Sequence, residues 1–188
     1  MKDKSKGTGC KNLFSAACWA LRRPRGDTYV DFIKHTIELA AANVEQGGRP
    51  FACVIVKDAK VLSEAVNQVA QTHDPTAHAE VIAIREATRI MGSEHLTGCT
   101  FYILAHPCPM CLAAMYYCSP DKVVFITTRE DYSPYYKDDR KYFTLMNFYD
   151  EIGKPWQQRA MPMEYHPDPD AIKVYQRWKE ANTPSVPQ

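Results

Sequence analysis

No apolar run in this 188-residue chain approaches the roughly 20 residues that a membrane-spanning helix needs, so no membrane segment is expected. Net charge is nearly absent as well. The 23 lysines and arginines against 22 aspartates and glutamates leave +1, which offers no bulk electrostatic case for a polyanion such as DNA or tRNA. A local basic patch can still hide within that average. There is no internal repeat. With 45% hydrophobic and 24% charged residues the composition is ordinary for a globular protein, and disorder is not the default. The cysteines number seven, so a complete set of disulfides is impossible. Two of them stand at metal-ligand spacing, and a reducing compartment, the cytoplasm, is expected. The length suits one compact domain with a real core.

Residues 1–27 read as a poorly ordered leader. Lys2, Lys4, Lys6 and Lys11 precede a short apolar stretch that Arg22, Arg23 and Arg25 cut off, with Pro24 and Gly26 closing it. A domain over 28–182 follows, then a frayed tail over 183–188. The spacing of Phe32, Ile33, Ile37, Ala40 and Val44 predicts an amphipathic helix over 29–44, ended by Gly47 and Gly48. Residues 51–56 and 61–66 read as a hairpin. A loop over 71–76 leads into a helix that ends at Gly92. A buried strand is expected over 100–105, a helix over 108–118 stopped by Pro120, a strand over 123–127 and a terminal helix over 171–181. The Tyr-rich stretch 132–149 has no clear assignment. Strands alternating with helices indicate a layered α/β domain.

The chemistry sits in two short segments. His78-Ala79-Glu80 opens one expected helix, and Pro107-Cys108-Pro109-Met110-Cys111 opens the next, thirty positions on. A catalytic zinc takes three protein ligands and keeps one position open. His78, Cys108 and Cys111 supply one imidazole and two thiolates, enough for one zinc per chain. Cysteines three apart at a helix start turn both sulfurs to one face, and the positive helix end favours thiolate. Glu80, two residues beyond His78, stands beside such an ion rather than on it. Zinc lowers the pKa of a bound water from about 15.7 to about 7, and a neighbouring carboxylate can take that proton and hand it on. The bland alternatives are a redox Cys-x-x-Cys or a structural zinc site. A structural site needs a fourth protein ligand, for which Cys99, Cys118, His73 or His106 are the candidates. Cys10, Cys18 and Cys53 read as small core or surface residues, and His35 as a structural or surface histidine.

The run His73-Asp74-Pro75-Thr76-Ala77-His78-Ala79-Glu80 together with Pro107-Cys108-Pro109-Met110-Cys111 resembles the cytidine deaminase-like superfamily. Gly47-Gly48-Arg49-Pro50-Phe51, Glu151-Ile152-Gly153-Lys154-Pro155 and the region 159–162 are similar to the bacterial guanine deaminases within it. tRNA adenosine deaminases share the histidine motif. The resemblance implies a three-layer α/β/α fold with a central mixed sheet of about five strands, and zinc-dependent hydrolytic removal of an amino group from a free nucleobase, most readily guanine. It also implies a homodimer, in some members with exchanged C-terminal segments. Cytosine, a nucleoside or a pterin are the alternative small substrates, and adenosine in tRNA or a silent zinc scaffold are alternatives of other classes. By the same resemblance Asn67 is a substrate-binding amide, Phe51 an aromatic wall of the base pocket and Asp139 an acid facing the purine. Three departures stand near that pocket. His106 precedes Pro107 where the family commonly has Glu, and Arg49 interrupts the glycine approach. The tail ends in Pro-Gln where some members place a terminal Tyr. His106 is expected to contact substrate or the residues around the metal, not to be a fourth ligand.

Overall fold

Cys53 and Ile55 on one strand and Phe101 and Ile103 on the next alternate with side chains that point the other way, and all four are almost wholly excluded from solvent. That period-two alternation draws the central strands together. The computed structural model describes residues 32–138, 140 and 148–182. In chain order the elements are α1 (Phe32–Glu45), β1 (Ala52–Lys57), β2 (Lys60–Val66), α2 (Val69–Thr72), α3 (Ala79–Met91), β3 (Cys99–Ala105), α4 (Pro109–Cys118), β4 (Lys122–Thr127), α5 (Arg129–Tyr132), α6 (Phe148–Gly153) and α7 (Pro169–Asn182), with a 3₁₀ turn at Trp156–Gln158 before α7. The leader, the tail and Asp139 lie outside the described residues.

The sheet has four strands in the order β2-β1-β3-β4, in keeping with the expected mixed sheet of about five. β1 is antiparallel to β2 and to β3, and β3 is parallel to β4 through α4. Asp58 and Ala59, both at positive φ, make the tight turn between β1 and β2. Ile55 lies opposite Phe101 and Cys53 opposite Ile103, so their side chains share one face. There they pack with Ala79, Ala83 and Ala87 of α3 and with Met115 and Cys118 of α4. The alanine stripe lets α3 lie close to the sheet, and Ser63 Oγ donates to the Ala83 carbonyl across the gap at 2.8 Å. α1 covers the opposite face, where the Phe32 and Tyr102 rings meet at 5.3 Å. The result is the three-layer α/β/α arrangement.

Most boundaries fall within a residue or two of the sequence pattern. α3 begins at Ala79 with His78 as its N-cap, where the histidine motif places the helix start. α2 is a single helical turn in a stretch that the sequence suggested was loop.

Candidate functional site

His78 and Cys108 hold equivalent places. Each is the extended residue immediately before a helix, at φ −70° for His78 and φ −71° for Cys108. Pro109 at the first position of α4 favours that start, since its ring presets φ and the missing N–H would have no intrahelical partner. The approach to His78 is set by the Asp-Pro-Thr run. Asp74 Oδ1 accepts from the Thr76 backbone N–H at 2.8 Å and from the Thr76 hydroxyl at 2.7 Å. The Ala77 carbonyl then accepts from Gln68 N–H at 2.9 Å, tying the loop back to the end of β2.

The two helix starts bring His78 Nδ1 to 3.7 Å from Cys108 Sγ and 3.5 Å from Cys111 Sγ. A tetrahedral zinc with Zn–N near 2.0–2.1 Å and Zn–S near 2.3 Å has an N···S edge of about 3.6 Å. Both N···S edges match, and the three ligand atoms all lie within 4.8 Å of one another, so the donor set fits one zinc. Among the described residues this is the one group of three or more metal-ligating side chains. None of the sequence candidates for a fourth ligand, Cys99, Cys118, His73 or His106, joins that group. Cys118 Sγ donates to the Met115 carbonyl, Cys99 Sγ lies on Met91 Sδ, and His106 Nδ1 is 3.3 Å from the Tyr149 hydroxyl. A closed four-ligand structural site is thus not formed among the described residues.

The electrostatics match. A hydrogen bond from Cys111, helped by His78, holds the Cys108 thiol down to about 4, while Cys111 is pushed up because it keeps the proton it shares with Cys108. Metal binding takes both cysteines as thiolates, so it releases protons and strengthens as pH rises. Glu80, buried at the first turn of α3, has its pKa raised chiefly by burial and further by Cys108. Glu80 lines the same cavity as His78 and Cys108.

Above these groups lies a cavity of about 440 Å³, lined by Phe51, Asn67, His106 and three tyrosines among others. That volume is in the range of small-ligand pockets. Asn67 is only 1% exposed. Its Oδ1 accepts from Val69 N–H at 3.1 Å, so the amide plane is fixed and its NH₂ end is the freer one. Asn67 is therefore both a turn cap and a cavity residue. The Phe51 ring meets Tyr136 at 5.0 Å and Tyr132 at 6.1 Å, each edge to face. His106 is a cavity residue with its ring against Phe125 at 5.1 Å and Tyr149 at 5.9 Å, and its backbone N–H donates to the Thr127 carbonyl at 2.8 Å. The Tyr149 hydroxyl also donates to the Pro107 carbonyl, and burial raises its pKa to about 12, which keeps it a donor. Asp139 is outside the described residues. Its neighbours Asp138 and Arg140 line the cavity as an ion pair at 3.0 Å, and Arg140 lies 3.4 Å from His78 Nε2.

The tyrosines are what the sequence reading left unassigned. A local signal existed: Thr128 and Asp131 form a reciprocal capping box that starts α5 and sets Arg129 and Tyr132 at the cavity.

The profile described as the cytidine and deoxycytidylate deaminase zinc-binding region matches residues 27–127. The guanine deaminase of Bacillus subtilis (strain 168) is 37% identical over 149 residues, 79% of this chain and 92% of that protein. A tRNA-specific adenosine deaminase of Aquifex aeolicus (strain VF5) is 31% identical over 143 residues, 76% of this chain and 88% of that protein. The solved structure of the Bacillus subtilis guanine deaminase superposes with a TM-score of 0.73 at 36% identity, covering 82% of this chain and 96% of that one. With the ligand triad, the buried carboxylate and the layered fold in agreement, the chain belongs to the cytidine and deoxycytidylate deaminase family of zinc-dependent deaminases.

Proposed function

We propose that the protein hydrolyses guanine to xanthine and ammonia, within a zinc deaminase domain spanning residues 28–182. The observation that carries this reading is the aromatic-walled cavity of about 440 Å³ directly over the ligand triad and Glu80. Its walls suit one flat ring, with Phe51 as one wall. The likeness to a guanine deaminase over 92% of that relative supports the choice of base.

His78, Cys108 and Cys111 hold the zinc, and when bound it supplies Lewis acidity toward a water molecule. The Asn67 amide donates to an acceptor on the base and fixes its orientation. Glu80 takes one proton of the attacking water and passes it to the ring nitrogen beside the amino-bearing carbon; it then takes the remaining proton of the added hydroxyl and gives it to the amine, which leaves as ammonia as the carbonyl forms. Its burial suits both roles, since a raised pKa brings a carboxyl nearer the pH at which it must gain and lose a proton. His106 and Tyr149 form the far wall, and His106 contacts the substrate edge without joining the ligand set. Asp139, outside the described residues, is kept in this reading as the acid that the family likeness assigns to the purine.

The working form is a homodimer in which α7 packs on the second copy. All fourteen residues of α7 are exposed in the single chain. Ile172, Tyr175 and Trp178 recur every three positions along it at 57%, 71% and 69% exposure, a face with apolar surface to bury. The compartment is the cytoplasm. Cys53, Cys99, Cys108, Cys111 and Cys118 are all unpaired, which suits a reducing environment, and no described helix is long and apolar enough to cross a membrane.

Ammonia release from zinc-loaded protein, screened across guanine, adenine, cytosine, nucleosides, pterins and tRNA, tests the assignment. Guanine should have the highest kcat/KM; a higher value for another member replaces it.

A further inference from the structure

Asn43 stands in the last turn of α1, in the layer opposite α3, α4 and the ligand triad. It is buried, and it is not among the residues that line the cavity. Both N–H groups of its side chain are nevertheless committed to the backbone of that cavity's wall. Nδ2 donates to the Arg49 carbonyl at 2.7 Å and to the Asn67 carbonyl at 3.0 Å. A side-chain amide has two donors, so both are in use. Asn67 is the cavity amide itself. Its backbone N–H donates to the Phe51 carbonyl at 3.0 Å, and its Oδ1 accepts from Val69 N–H at 3.1 Å. Once Asn43 is in place, both backbone groups and the side-chain oxygen of Asn67 have partners, and the NH₂ group is the one left for a ligand. The Arg49 carbonyl also accepts from Phe51 N–H at 2.8 Å. One buried side chain therefore joins the strand that delivers the Phe51 ring to the turn that delivers the Asn67 amide.

The place of the Asn43 amide is itself set by the chain that leaves α1. The Asn43 carbonyl accepts from Gln46 N–H at 3.1 Å and from Gly48 N–H at 2.8 Å, and Gly47 turns the chain at φ +78°. A Cβ on Gly48 would overlap the Asn43 amide, so glycine there is what lets the backbone pass so close. Substrate-binding groups must be held to within about 0.5 Å by the residues behind them, and a displacement of about 1 Å can cost as much as 10²-fold. We propose that Asn43 is a positioning residue for the deamination: from the layer opposite the metal it fixes the aim of the Asn67 amide, and so the base which that amide orients, without touching substrate. This rests on the reading of Asn67 as the amide that orients a nucleobase. A bond with a structural role alone would cost stability and leave the affinity of the folded enzyme for its base untouched. A positioning bond moves KM.

The test takes guanine, or whichever base the ammonia-release screen ranks first, and compares zinc-loaded wild type with Asn43→Ala, Gly48→Ala, Asn67→Ala and each of the first two combined with Asn67→Ala. Asn43→Ala should raise KM roughly five- to fiftyfold, with kcat changed less than about threefold and about one zinc per chain. Gly48→Ala keeps the Asn43 amide but displaces it, so KM should rise there too. In the Asn67→Ala background neither change should lower kcat/KM by more than about a further threefold, because the group they aim is gone. The lower Tm of Asn43→Ala should persist in that background, because the carbonyl it bonds is backbone and survives Asn67→Ala. An unchanged KM in folded, zinc-loaded Asn43→Ala overturns the proposal. So does a loss in kcat/KM that is as large in the Asn67→Ala background as in wild type. If Asn43→Ala does not fold, Gly48→Ala and its combination with Asn67→Ala decide by the same two criteria. Asn67→Ala with an unchanged kcat/KM on every base of the screen overturns the orienting-amide reading, and the proposal falls with it. An impaired Asn67→Ala beside an unimpaired Asn43→Ala overturns the proposal alone.

Discussion

Replacing Asn67 by alanine separates two jobs that one side chain performs. The first is structural: Oδ1 accepts from Val69 N–H at 3.1 Å at the turn after β2. Val69 is only part-buried, so water can replace some of that bond, and the loss should be near 1 kcal/mol. For a domain of this size that corresponds to a Tm about 2–4 °C lower. The second job is the donor toward the cavity. A hydrogen bond made in a site that excludes water costs roughly 1.5–3 kcal/mol when one partner is removed. At about 1.4 kcal/mol per tenfold, kcat/KM for the true substrate should fall roughly ten- to 150-fold. Zinc content should not change, because Asn67 is not a ligand. Asn43→Ala is the informative companion. It loses two donated bonds, to the Arg49 and Asn67 carbonyls, so its Tm should fall further than that of Asn67→Ala. Thermal melts and steady-state kinetics on both variants decide the matter. An Asn67→Ala protein with a lower Tm and an unchanged kcat/KM would leave Asn67 a turn cap only and refute its placement against substrate.

His106→Ala and His106→Glu should both retain about one zinc per chain and alter the ranking of bases in kcat/KM; loss of zinc would make His106 a ligand after all. The contact of His35 Nε2 with Glu64 at 2.5 Å raises the His35 pKa from 6.5, mainly through that hydrogen bond against the opposing effect of burial. Its stabilisation is therefore complete below pH 6.5 and lost as pH rises through the raised folded-state value; His35→Gln should flatten that part of the Tm–pH curve, and an unchanged curve would dismiss the pair. Light scattering at micromolar concentration should read the mass of two chains, and Tyr175→Asp with Trp178→Asp should shift it toward one; monomer in the wild type would remove α7 from any interface.

The site was legible where chemistry leaves little choice of residue. One imidazole, two thiolates three apart and a carboxylate two residues from the imidazole form a pattern that few alternatives share, and the structure brings all four together. The sheet was legible because Cys53, Ile55, Phe101 and Ile103 alternate with period two. What stayed dark was set by long-range contact. Tyr132, Tyr136 and Tyr149 have no periodicity that distinguishes a cavity wall from a surface loop; their role appears only when Phe51 and His106 come against them. Arg49 read as an interruption of a glycine run; only the fold shows its carbonyl held by Asn43 and the residue standing at the cavity. His35 read simply as structural or surface, since its partner lies 29 positions away on β2.

The central claim is that His78, Cys108 and Cys111 hold a zinc and Glu80 moves the protons of a nucleobase deamination. The most direct measurement follows xanthine and ammonia formation from guanine, with zinc quantified on the same samples of wild type, Cys111→Ala and Glu80→Ala. The account predicts about one zinc and turnover in wild type, loss of both in Cys111→Ala, and in Glu80→Ala full zinc with kcat reduced by roughly 10²-fold to 10⁴-fold or more. A Glu80→Ala protein that keeps its zinc and still turns guanine over at the wild-type rate would contradict it.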